Sequence, residues 1–137
     1  MNFRISSATI ALAFGAAFFL TACDAPPPPP PKTYPVKGKV VFIGGGSPSG
    51  GSVDFRSTTD MVTAVGKVEA DGTFVLQTLS SREKVNGAVE GEHTVTYTPG
   101  QGQDQSTLLP VTAAEKYRVK AEENNITVTV AKPRPPQ

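Results

Sequence analysis

From Val36 onward the chain alternates apolar and polar positions with a period of two. Val36, Gly38, Val40 and Phe42 fall on one face and Lys37 and Lys39 on the other, while Val53 and Phe55 alternate with Asp54 and Arg56. Successive side chains of an extended strand point to opposite faces, so this spacing predicts half-buried strands. The same pattern predicts strands over residues 61–70, 73–79, 93–98, 117–121 and 126–131, the last with Ile126, Val128 and Val130 opposite Thr127 and Thr129. Asp71-Gly72 predicts a two-residue hairpin turn, because glycine accepts the positive φ such turns need. Residues 44–51 and 99–105 read as loops, and only 113–117 offers a helical turn. Short strands at regular spacing predict an all-β fold, a single antiparallel sandwich or barrel of about seven strands.

The first 33 residues break this pattern. A basic start, Met1 to Arg4, precedes an uncharged stretch from Ile5 to Ala22, the layout of a secretory signal. As a helix, the apolar core from Ala8 to Leu20 would be about 20 Å long against roughly 30 Å of hydrocarbon, too short for a spanning anchor. It ends in Leu20-Thr21-Ala22-Cys23, which resembles the lipobox of bacterial lipoproteins: a branched residue, two small ones and a cysteine. That resemblance implies cleavage before Cys23, diacylation of its sulfur, and attachment to a membrane through Cys23 as the lipidation site. One acyl chain binds a bilayer only reversibly, whereas two or three hold the protein there. Residues 1–22 thus read as a lipoprotein signal peptide and 23–33 as the lipidated cysteine and a proline-rich stalk. Pro26 to Pro31 lack amide donors and extend about 3.1 Å each, roughly 20 Å in all, in polyproline II geometry. Residues 34–132 form the folded domain, and 133–137 a flexible tail.

Charge narrows the function. The 137 residues carry 13 Lys and Arg against 12 Asp and Glu, and removing the signal takes away Arg4 alone, leaving near neutrality. No strong field remains to attract nucleic acid. With the one cysteine lipidated, no thiol is left for a disulfide, so packing and backbone pairing must hold the domain.

Candidate chemistry is sparse. His93 is the one histidine, it shares a face with Val95 and Tyr97, and no orienting carboxylate or nucleophile is marked beside it; it reads as a core or strand-edge residue. One histidine and a blocked cysteine are too few ligands for zinc. The run from Gly44 to Gly51 lacks the closing Gly-Lys-Ser/Thr of a phosphate loop and reads as a flexible connection. The acidic groups Glu122-Glu123, Glu90/Glu92, Asp71 and Asp104 lack the alternating oxygen ligands of a calcium loop and read as solvated turns. Lys32, Lys37, Lys39, Lys116, Arg118 and Lys120 read as a soluble surface. No catalytic, metal or cofactor-binding residue is therefore assigned.

The succession Tyr34-Pro35-Val36-Lys37-Gly38-Lys39-Val40, Gly50-Gly51-Ser52-Val53-Asp54-Phe55 and Gly66-Lys67-Val68-Glu69-Ala70-Asp71-Gly72-Thr73-Phe74 resembles the carboxypeptidase regulatory-like domains. It resembles in particular the small lipoproteins of this kind from planctomycete bacteria. Gly87-Ala88, Gly91-Glu92-His93-Thr94-Val95, Lys116-Tyr117 and Glu123-Asn124-Asn125-Ile126 continue the likeness, which runs to about Ala131. The resemblance implies a transthyretin-like (prealbumin-like) β-sandwich with Greek-key connections. Its motifs are turn glycines and strand starts, so they speak to fold and not to activity. The family usually carries an aromatic residue at the position of His93.

Together these features lead us to expect a noncatalytic module, exported and lipid-anchored to a bacterial cell-envelope membrane on its periplasmic face or at the cell surface. Its partner would be an envelope protein, peptide or polymer held by loops or by an unpaired strand edge. The alternative is a small ligand-carrying or hydrolytic envelope protein of the same fold.

Overall fold

The computed structural model describes residues 26, 28–80, 83–100 and 108–137. These form β1 (Thr33–Tyr34), β2 (Val36–Phe42), β3 (Ser52–Ser57), β4 (Thr63–Val68), β5 (Thr73–Leu79), β6 (Lys84–Asn86), β7 (Ala88–Val89), β8 (Gly91–Thr98), β9 (Val111–Thr112), β10 (Tyr117–Val119) and β11 (Asn124–Val130). Seven of them make one continuous curled sheet in the order β10-β8-β3-β4-β5-β2-β11. β6 adds to β5 and β9 to β8, while β1 and β7 pair separately.

The period-two pattern produces the core directly. In β5, Phe74, Leu76 and Thr78 point inward while Thr73, Val75, Gln77 and Leu79 face solvent. Val36, Val40, Val53, Phe55, Val95, Tyr97, Val119, Val128 and Val130 complete the apolar interior. The curl brings distant strands face to face. The ring of Phe55 on β3 lies 5.7 Å from Phe74 on β5 and 6.5 Å from Tyr117 on β10. Gly38 is buried where the ring of Phe74 covers β2: a Cβ there would lie 2.7 Å from that ring and collide with the carbonyl of Ile126.

Several expectations are corrected. The sheet is not wholly antiparallel, because β11 runs parallel to β2 from Asn124 opposite Val36 to Val130 opposite Phe42. A parallel pair needs a long crossover, and here every strand between β2 and β11 forms it. The 70–73 hairpin is a three-residue connection: Gly72 N–H donates to Glu69 O at 3.0 Å, and Glu69 N–H donates to Thr73 O at 2.8 Å. Gly72, at φ 85°, takes the left-handed position that closes this wider turn. β4 starts at Thr63 and not Met61, since Ser57 Oγ accepts the amides of Thr59 and Asp60 and holds the preceding residues in a turn. Within 113–117 only Ala114 and Glu115 make a bend, Tyr117 already belongs to β10, and no helix occurs among the described residues. β10 ends at Val119, and β1 begins at Thr33, one residue inside the segment read as stalk.

The topology gives the domain two different ends. At one end lie the entering β1, the β3–β4 turn and the corner between β10 and β11, tied together by Thr58 N–H to Glu92 O at 3.0 Å and Asn124 N–H to Pro35 O at 2.9 Å. At the other lie the glycine-rich loop, the β4–β5 turn and the C-terminal segment. Gly50 N–H donates to Glu69 O at 3.3 Å, and Ile43 N–H to Val130 O at 2.9 Å. Leu109 N–H donates to Arg134 O at 3.2 Å, which ties the tail to this end.

Candidate functional site

His93 is fully buried and stacks at a tilt on Phe55, with ring centroids 6.1 Å apart. Its Nδ1 lies 3.1 Å from the carbonyl of Gly91, and its Nε2 is buried without a hydrogen-bond partner. Burial pushes its pKa below the ordinary histidine value, while the Gly91 carbonyl and the charge of Asp60 pull weakly the other way. The histidine is thus a core residue packed on Phe55.

The carboxylates singled out in the sequence that fall among the described residues sit in turns and surface ion pairs. Asp71 accepts from Thr73 through the amide at 3.0 Å and the hydroxyl at 2.6 Å, and these bonds hold its pKa below the usual carboxylate range. Glu123 pairs with Lys37 at 2.5 Å, which lowers its pKa as well. Glu122 pairs with Lys120 at 3.8 Å and Glu92 with Lys116 at 3.8 Å. Solvent screens such exposed pairs, so they contribute little to stability. No group of three potential metal ligands occurs among the described residues. Asp104 and Cys23 lie outside those residues, as does the whole of 1–22.

The glycine-rich run is more constrained than a flexible connection. Five of its glycines hold positive φ, and Phe42 N–H donates to Gly46 O at 2.9 Å. Tyr97, buried on β8, donates its hydroxyl to Gly50 O at 2.8 Å and packs edge-on against Phe42 at 6.1 Å. These two rings line a cleft of about 270 Å³ with Pro48, Pro99, Leu108 and Pro133 and with the polar Ser47, Ser49 and Lys132. Ile43 and Leu109 are exposed nearby. The cleft is suited to a small apolar group.

The second feature is the outer side of β11. Asn124 N–H donates to Pro35 O, and Val130 O accepts from Ile43 N–H. Residues two apart on a strand face the same lateral side, so Ile126 and Val128 also turn their amides toward β2. Asn125, Thr127 and Thr129 therefore turn theirs away. The amide of Thr129 is met by the hydroxyl of Tyr117 at 2.9 Å. Asn124 fixes the corner before the strand: its side chain accepts from Lys120 N–H at 2.8 Å and donates to the carbonyls of Glu122 at 2.6 Å and Lys120 at 3.0 Å.

No family model, curated protein or solved structure matches this chain. Alternation in the sequence shows which side chains of β11 are buried, but the lateral direction of its amides depends on its parallel pairing with β2 and carries no local signal.

Proposed function

We propose that this chain is a bacterial lipoprotein, anchored to a cell-envelope membrane through acyl chains on Cys23, that presents a noncatalytic β-module for binding. The supporting observation is the polarity of the domain. The chain enters through β1 at one end, and the glycine-rich loop, the Phe42/Tyr97 cleft and the C-terminal segment gather at the other. A stalk attached to the first end points the second away from the membrane. Within this reading the domain is carboxypeptidase regulatory-like, a transthyretin-like sandwich with Greek-key connections. The contact of Phe55 with Phe74 across the curl favours two facing layers.

The cleft favours ligand carriage as a second reading, since a small apolar ligand could seat on Phe42 and Tyr97. Assays of the purified protein on ester, peptide, phosphate and glycoside substrates should give no turnover. Turnover that survives purification and is lost in His93→Ala contradicts the noncatalytic reading.

A further inference from the structure

His93 is walled by strands of unequal strength. Its ring points inward from β8 onto Phe55 of β3, and its register partners are Ser57 on β3 and Tyr117 on β10. β3 is paired with β8 on one side and with β4 on the other. β10 is a three-residue strand at the end of the sheet, and among the described strands it pairs with β8 alone. Thr58 N–H donates to Glu92 O, so Glu92 turns its backbone toward β3, and Gly91 and His93 turn theirs toward β10. Tyr117 closes this side in three ways. Its backbone pairs with His93, its ring lies 6.5 Å from Phe55, and its hydroxyl accepts the Thr129 amide at 2.9 Å. Lifting β10 therefore breaks one strand pair, whereas moving β3 breaks two.

The closed site admits one form of the imidazole. The carbonyl of Gly91 can only accept, so the contact at 3.1 Å makes Nδ1 the protonated nitrogen. Nε2 is then a lone pair, sealed and without a donor among the described residues. A proton added there would bury a cationic N–H with no acceptor, which a core does not tolerate. The groups around the ring offer no relief while β10 is closed. Phe55 and Ser57 on β3 carry no charge, and Tyr117 presents a phenol ring from β10. Glu92 is exposed on the opposite face of β8 beside Lys116, and Arg118 is exposed on β10. Asp60, in the exposed β3–β4 turn, is the carboxylate whose charge reaches the ring.

We propose that His93 is an acid-sensitive latch on β10: protonation of Nε2 drives the imidazole out toward Asp60 and frees β10 from β8 while the rest of the sheet stays folded. Release uncovers the backbone of Gly91 and His93 and the ring of Phe55. The proton comes from solvent and returns to it when β10 closes. This device does not depend on how the chain is anchored.

Amide hydrogen exchange of the full chain, followed by NMR and corrected for the intrinsic effect of pH, reads the release directly. Protection at Tyr117 and Val119 should fall about tenfold for each pH unit below about 6.5, the slope of one proton taken up on opening. Val40 in β2 and Val65 in β4 should stay at least about tenfold better protected at every pH, because their strands do not move. The ring resonances of His93 should report the neutral Nδ1–H form in the closed protein, and His93→Phe should make exchange of β10 independent of pH. Tyr117→Phe keeps the ring and gives up the bond to Thr129, so it should speed exchange about threefold or more at every pH and keep the slope. Loss of protection to one level in all strands overturns the proposal by assigning the acid response to global unfolding. A slope that survives in His93→Phe overturns it by assigning the proton to another group. A charged imidazole in the closed protein at pH of about 6 also overturns it, and that observation requires no variant to fold.

Discussion

The imidazole of His93 lies against the ring of Phe55 at 6.1 Å, with an interplanar angle of 52° and its Nε2 sealed from both water and any polar partner. Burial disfavours the charged form, so the folded-state pKa lies below the unfolded value of about 6.5. The unfolded chain then binds a proton that the folded chain refuses. Stability from this group is complete above pH of about 6.5 and declines as pH falls from there toward the folded-state pKa. Thermal melts should therefore drop as pH falls below about 6.5, and His93→Phe should flatten that limb. An unchanged acid limb in His93→Phe would assign it to other groups.

Phe55 touches Phe74, His93 and Tyr117, and it has no exposed surface. Phe55→Ala should cost about 3–5 kcal/mol in denaturant unfolding, through lost burial and the cavity left behind. That is a large fraction of the 5–15 kcal/mol typical of a native domain. A loss below about 1 kcal/mol would mean that the core does not converge on this ring.

Gly38 should resist even a methyl group. The ring of Phe74 and the carbonyl of Ile126 occupy the space where its Cβ would stand, so Gly38→Ala should destabilise by about 1–3 kcal/mol or more. Phe74→Leu combined with Gly38→Ala should cost less than the sum of the two single losses, because it removes one of the two obstacles. Additive losses in the double variant would speak against that contact.

Asn124 joins the β10–β11 corner to the start of β2. Asn124→Ala leaves the amide of Lys120 and the carbonyls of Lys120 and Glu122 without their side-chain partner. A cost of about 1–3 kcal/mol is expected in thermal or denaturant melts. Asn124→Asp keeps an acceptor for the Lys120 amide but sets a carboxylate oxygen against the carbonyls of Lys120 and Glu122, so it should cost at least as much as Asn124→Ala.

These sites also show what the sequence could and could not carry. Alternation marks the inward faces of β2, β5, β8 and β11 because side-chain direction is set residue by residue, and His93 falls inward with Val95 and Tyr97 for that reason. The positive φ of Gly72 was legible for the same local cause, although the turn is one residue longer than its Asp-Gly pair suggests. The parallel pairing of β11 with β2 was not legible, since it depends on where a chain returns after some eighty residues. The short β1, β6, β7 and β9 hold two or three residues each, too few to show a period. The amide of Val128 faces β2 and that of Thr127 faces out, a difference set by the pairing of β11 and not by its sequence.

In the proposed lipoprotein the stalk, the orientation of the domain and its place in the envelope would all follow from acylation of Cys23. Mass spectrometry of the N-terminal peptide of the protein isolated from its own membranes tests this directly. The expected peptide begins at Cys23 with thioether-linked diacylglycerol, and Cys23→Ala should accumulate as uncleaved precursor. A peptide that reads through Ala22 into Cys23, or one that begins at an unmodified Cys23, contradicts the account.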